Sequence, residues 1–181
     1  MKVKPHRPYE LKEYDPQWKT KFKEISKIIK KLLYKEVIAI HHVGSTSIPG
    51  MVAKPQIDIL VVVKDVKKIK EYNNQIIAKG FIYLKNYVNG KDCFAIDNKD
   101  GKRLATIHIV QEGSQEISNQ LAFREYLKNY KGVIKEYSDL KKILYKKYKN
   151  DYSSYGPGKR DFIISTLKKA RKWAKDNRIN T

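Results

Sequence analysis

His41-His42-Val43-Gly44-Ser45-Thr46-Ser47-Ile48-Pro49-Gly50-Met51-Val52-Ala53-Lys54-Pro55-Gln56-Ile57-Asp58-Ile59 is the most informative run in the chain. A β-branched segment, Val37 to Val43, ends in a glycine and three small hydroxyl residues, and a loop then leads to an acid inside an apolar strand. Gly44 permits backbone N–H groups to approach an anion closely. The hydroxyls of Ser45, Thr46 and Ser47 can donate hydrogen bonds to phosphate oxygens. Asp58 can hold a divalent cation that neutralises those phosphates: Mg²⁺, with Mn²⁺ or Zn²⁺ as alternatives. The competing readings are a plain tight turn at Gly44-Ser45 and an Asp58 satisfied by loop N–H groups. An unpaired buried carboxylate is costly, so a metal or Lys54 must compensate it.

The flanking segments read as regular structure. Asp15-Pro16 is an N-cap followed by proline at the first helical position. Trp18, Phe22, Ile25, Ile29 and Leu32 then form the stripe of an amphipathic helix. Pro55 to Val63 is a strand whose continuous apolar end, Ile59 to Val63, suits burial on both faces. Val66, Ile69, Asn73, Ile76 and Ile77 predict a helix that Gly80 closes. Phe81 to Val88 and Asp92 to Asp97 are strands joined by an Asn89-Gly90 hairpin turn. Asp100-Gly101 turns into a third strand, Arg103 to Val110. Beyond Ser114, which can cap a helix, three helical patterns follow, the last preceded by a polar, aromatic loop, Asp151 to Gly158. This order predicts an α+β fold with a mixed β-sheet covered by helices, not a regular βαβ alternation. Residues 1–13 are an N-terminal arm and 14–176 a single domain, with a sheet core at about 36–111 and C-terminal helices at about 115–176.

At 181 residues the chain suits one domain. It carries 39 Lys+Arg against 19 Asp+Glu, a net charge of +20. That surplus favours phosphate-bearing partners, including nucleotides and nucleic acid. Its richness in Lys, Ile, Asn and Tyr is equally what AT-rich codons produce. The lysine runs, Lys141-Lys142 and Lys146-Lys147 among them, fall within helical patterns and read as solvated helix faces. The lone Cys93 excludes an intrachain disulfide and a Cys-based zinc site. No apolar run approaches the roughly 20 residues that span a bilayer. The start of the chain lacks the apolar stretch of a signal peptide, and a cytoplasmic protein without a membrane partner is expected.

Gly44-Ser45, twelve residues, then Asp58 on a strand resembles the signature of polymerase-β-type nucleotidyltransferases. More closely, the chain resembles the GrpB family of bacterial proteins with a nucleotidyltransferase-like fold. The matching pieces are Tyr14 to Trp18, His42 to Pro49, Ala53-Lys54-Pro55, Ile57-Asp58-Ile59, Phe123 to Leu127, and Tyr155, Lys159 and Phe162. The resemblance implies binding of a nucleoside triphosphate or related phosphorylated metabolite, with transfer of a nucleotidyl group to an acceptor. Active enzymes of that superfamily carry a second acid two residues after the first and a third on a later strand. Here position 60 is Leu60, and the later strand offers His108. Side chains two apart on a strand share a face, so a standard two-metal site lacks ligands.

The candidate site residues are therefore Asp58 and His108 for catalysis, and Gly44, Ser45, Thr46, Ser47, Lys54, Arg124, Tyr155 and Lys159 for phosphate or nucleotide. Asp58, His42 and His108 would make an N/N/O metal site if they converge; satisfied core histidines are the alternative. Arg124 offers a bidentate fork, or an ordinary ion pair with Glu125. Tyr155 and Lys159 can close over a base and its phosphate tail, or lie on an exposed loop. A catalytically degenerate nucleotide or anion sensor and an RNA-binding protein are the rival readings. Oligomeric state is not encoded legibly.

Overall fold

The computed structural model describes residues 9–88, 91–149 and 151–178. Helix α1 spans Gln17–Leu32. The Asp15 carboxylate accepts a hydrogen bond from the Gln17 N–H at 2.8 Å. The helix thus opens one residue after the Asp-Pro pair, with Pro16 still outside it. Five strands follow, β1 Val37–Val43, β2 Ile57–Val63, β3 Ile82–Val88, β4 Lys91–Asp97 and β5 Arg103–Gln111. They form one sheet in the order β1-β2-β5-β4-β3. Only β2 and β5 pair in parallel; the other three pairings are antiparallel. The fold is therefore α+β with a mixed sheet, as the element order predicts. A parallel pair needs a long crossover. Here it contains a 3-10 segment, Val66–Tyr72, helix α2, Asn73–Ala78, and the β3–β4 pair. The expected Asn89-Gly90 turn lies outside the described residues.

Strand β2 has a neighbour on each edge, which explains its apolar run. Ile57, Ile59, Val61 and Val63 point to one face and pack with Trp18 and Ile29 of α1 and with Ile107 and Ile109 of β5. Leu60 and Val62 point to the other, against Val43, Val110 and Leu121. Asp58 belongs to this second set and stands at the strand's opening end, where the sheet gives way to loop.

The C-terminal part supplies α3 Gln115–Asn129, α4 Lys131–Lys147, a one-turn α5 Tyr152–Tyr155 and α6 Arg160–Asp176. Ser114 caps α3, accepting from the Glu116 N–H at 3.3 Å. Small residues Ala122, Ala170 and Ala174 let α3 and α6 approach closely. Ile48 and Met51, from the loop after β1, are buried with Leu127 and Tyr137. That loop is therefore held between sheet and helices. The Asp151–Gly158 segment, expected as a loop, is instead helical: α5 is followed by a 3-10 turn at Pro157–Lys159. Asp151 starts it by accepting from the Ser154 N–H at 3.3 Å.

Of the expected N-terminal arm, residues 1–8 lie outside the described residues, and the remainder lies against the body. Lys12 and Ala53 exchange backbone hydrogen bonds of 2.9 Å each. The Tyr9 hydroxyl donates to the Tyr148 carbonyl at 2.8 Å, and its ring packs on Tyr145 and Tyr155.

Candidate functional site

Gly44 leaves β1 with φ 69° and ψ −175°, a backbone state essentially restricted to glycine. A Cβ there would stand 3.0 Å from the Asp58 Cβ and closer still to its carboxylate. The bend therefore sits directly on the acid. Gln56 fixes that acid from the other side, its Nε2 donating to Asp58 Oδ1 at 3.2 Å and Thr106 Oγ1 at 2.9 Å.

The three hydroxyls after Gly44 have different employment. Ser47 Oγ donates to the Gly44 carbonyl at 2.6 Å and closes the turn. Thr46 is 1% exposed; its hydroxyl donates to the Gln56 carbonyl at 3.3 Å and contacts His42 Nε2 at 3.0 Å. Both hydroxyl protons are thus committed to the backbone of the bend and the loop that follows it. Ser45 is partly exposed, and its Oγ lies 2.7 Å from Lys141 Nζ.

Three lysines from three parts of the chain gather here. Lys54 comes from the loop before β2, Lys141 from α4 and Lys159 from the turn before α6. The Lys54 and Lys159 ammonium groups lie over the same Tyr155 ring, 5.6 and 4.6 Å from its centre. Lys141 lies 4.1 Å over the Tyr137 ring and donates to the Val52 carbonyl at 2.8 Å. Burial lowers the Lys54 pKa to about 8, against the opposing pull of Asp58. Burial and then Lys54 lower Lys159 to about 8 as well. Lys141 falls well below its usual value through burial, then Lys159 and Lys54. Burial, then the Asp58 charge, pushes the Tyr137 hydroxyl up, so it stays neutral. Each lysine feels Asp58, and the Lys54 and Lys159 ammonium groups alone outnumber that one carboxylate. Gly158 makes this packing possible, since a Cβ there would stand 2.6 Å from a Leu144 methyl on α4.

Several expected members stand elsewhere. In the antiparallel β1–β2 pairing Val43 lies opposite Asp58 and His42 opposite Ile59. His42 therefore occupies the other sheet face, stacked on Phe22 of α1 with ring centres 4.8 Å apart. Burial, followed by Arg124 and Lys128, lowers its pKa to about 4. His108 shares the face of Asp58 but pairs with Leu60, one side-chain row further along. The convergence of His42 and His108 on Asp58 does not occur. Among the described residues no group of three His, Cys, Asp or Glu is placed to hold a metal ion. Leu60, at the position of the missing second acid, is fully buried.

Arg124 donates from Nη1 to the His42 carbonyl at 2.8 Å and from Nε to Glu125 at 2.6 Å. It straps α3 to β1. Tyr155 is 1% exposed, so it underlies the two ammonium groups and offers no face to a base.

Lys141, at 2% exposure, is the residue that the solvated-face reading of Lys141-Lys142 misses. The signal was present: Lys141 lies four residues after Tyr137 and three before Leu144, on the apolar stripe of α4. Ser138 shares that side and receives the Val52 N–H at 3.2 Å.

The profile of the family described as GrpB protein matches residues 8–169. Over 94% of its length the chain is 35% identical to UPF0157 protein YqkA of Bacillus subtilis. It spans only half the length of that relative. It is 33% identical to the glutamate-rich protein GrpB of Alkalihalophilus pseudofirmus, over 87% of this chain and 92% of that protein. The crystal structure of conserved protein GrpB from Enterococcus faecalis superimposes with a TM-score of 0.83 at 32% identity. That match covers 90% of this chain and 98% of the other.

Proposed function

The chain belongs to the GrpB family, and from that premise we propose that it binds a phosphorylated, multiply anionic small molecule of the nucleoside triphosphate class at the Gly44-Ser45 bend. The carrying observation is the gathering of Lys54, Lys141 and Lys159 around the single carboxylate of Asp58. Holding desolvated ammonium groups side by side is unfavourable unless an anion neutralises them. Lys54 and Lys159, both partly exposed, supply charge to the phosphates, and Ser45 supplies a hydroxyl. The sequence resemblance to nucleotidyltransferases supports the same ligand class.

The donor set does not fit a resident divalent cation. One carboxylate beside the Lys54 and Lys159 ammonium groups repels a dication more than it holds it. In this reading Mg²⁺, or Mn²⁺ or Zn²⁺ in its place, enters on the ligand's phosphates. With Leu60 in the core, two-metal transfer lacks its ligands, and binding is the function on which the geometry bears.

Equilibrium titration with the four nucleoside triphosphates and with inorganic triphosphate, with and without Mg²⁺, tests this. The expected result is binding that persists without Mg²⁺, weakens at least tenfold in Lys159→Met, and strengthens without Mg²⁺ in Asp58→Asn. Absence of binding across the panel, or binding indifferent to Lys159→Met, overturns it.

A further inference from the structure

Lys141 poses a question that phosphate binding leaves open. Its side chain is sealed from solvent, so its amine cannot reach a ligand entering at the bend. Its two polar neighbours are the Val52 carbonyl at 2.8 Å and the Ser45 hydroxyl at 2.7 Å. Val52, from the loop after the bend, orients the nitrogen by accepting one N–H. The Tyr137 ring closes the opposite side at 4.1 Å. Nζ donates to both oxygens. As a neutral amine it can keep the Val52 bond and turn its lone pair to the serine hydroxyl, which then donates across the same 2.7 Å. Ser45 in turn is partly exposed and directly follows Gly44, whose bend sits on Asp58, where the phosphates are proposed to lie.

We propose that Ser45 is a nucleophile toward the phosphoanhydride of a bound nucleoside triphosphate and that Lys141 is its general base. This rests on the ligand class proposed above. Ser45 Oγ attacks a phosphorus atom of the bound anhydride and forms an Oγ–P bond as the bridging P–O bond breaks. The hydroxyl proton passes to Lys141 Nζ and stays there, while the leaving phosphate group departs as its anion with the electron pair of the broken P–O bond. The product is a Ser45 phosphodiester or phosphomonoester and a free phosphate or diphosphate species. Lys54 and Lys159 offset the charge on the attacked group. The arrangement matches the serine–lysine form of the activated nucleophile, with a base aligned by a third group. Lys54 and Lys159 lower the Lys141 pKa by repulsion, the Asp58 carboxylate opposes them, and burial is the largest cause. Together they favour the neutral amine that the step requires.

The test incubates the full chain with ATP, UTP, GTP and CTP labelled at the α or γ phosphorus, then measures intact mass and maps the modified peptide. Binding is measured in parallel by titration, so a failure to bind is separated from a failure to react. The expected result is a stoichiometric adduct on Ser45, absent in Ser45→Ala. Lys141→Arg retains N–H donors on a long side chain but stays protonated and cannot accept a proton. At saturating nucleotide, where a change in affinity does not enter the rate, it should label about a hundredfold more slowly. Labelling should also fall with decreasing pH as Lys141 protonates; the groups facing it are Lys54, Lys159, Asp58 and Tyr137. Binding without an adduct, an adduct on another residue, or equal labelling rates in Lys141→Arg and wild type overturns the proposal.

Discussion

Gly44 and Asp58 are in direct contact, and the contact exists only because residue 44 lacks a side chain. Its φ of 69° and ψ of −175° already exclude most residues. The 3.0 Å separation between a built Cβ and the Asp58 Cβ adds steric overlap with a residue fixed by Gln56. The two effects together place the bend on the acid and keep it there.

Gly44→Ala should therefore destabilise the protein by about 2–4 kcal/mol, combining left-handed backbone strain with overpacking. Gly50 is the control. Its φ is 79° but no atom lies within 4 Å of a built Cβ, so Gly50→Ala should cost only about 1 kcal/mol. Urea unfolding midpoints of the two variants check the difference. Equal losses would mean that the Asp58 contact contributes nothing.

Arg124 separates strapping from binding. Its hydrogen bond to the His42 carbonyl joins α3 to β1, and charge-assisted hydrogen bonds contribute about 1.5–3 kcal/mol. Arg124→Ala should lower stability by about that amount and leave ATP affinity within about twofold. An affinity loss of tenfold or more, at a temperature where the variant is fully folded, would return Arg124 to the phosphate site.

The fold was legible because its signals are local. The β-branched segment Val37 to Val43, the Asp100-Gly101 turn into Arg103 to Val110, the capping Ser114 and the apolar run of β2 each announce themselves within a few residues. Of the candidate site, the sequence displays only the part that is local too, Gly44, Ser45, Lys54 and Asp58. Whether His42 converges on Asp58 is not legible in the sequence, because strand parity depends on register. The β1–β2 register places Val43, not His42, opposite Asp58, and a one-residue shift reverses every side chain. Lys141 lies 96 residues from its partner Ser45. The helical period could have marked it as inward-facing, but no spacing rule names what it meets.

Leu60 carries the argument against a two-metal site. It is fully buried among Val43, Val62, Val110 and Leu121. Leu60→Asp places an uncompensated carboxylate there and should cost about 4 kcal/mol or more. Leu60→Met, nearly equal in volume, should cost less than about 1.5 kcal/mol. Chemical denaturation of the pair decides the matter. A Leu60→Asp variant as stable as wild type would show that the position opens onto the site and could accept the second acid.

Proton uptake on ligand binding is the most direct reading of the lysine cluster. Lys54 and Lys159 titrate near pH 8 in the folded protein, below their usual value of 10.5. The unfolded chain therefore binds more protons than the folded one between about pH 8 and 10.5. Their contribution to the stability of the unliganded protein should rise with pH through that window, and the penalty is fully present below pH 8. A bound polyphosphate reverses the balance by favouring the ammonium form of both lysines. Binding at pH 8 should then take up protons, and affinity should fall as pH rises further. Calorimetric titration with ATP, whose phosphates are fully ionised at that pH, in two buffers of different ionisation heat measures the uptake. Lys159→Met should reduce it. Zero uptake in the wild type at pH 8, with binding intact, would mean that the anion does not sit among these amines.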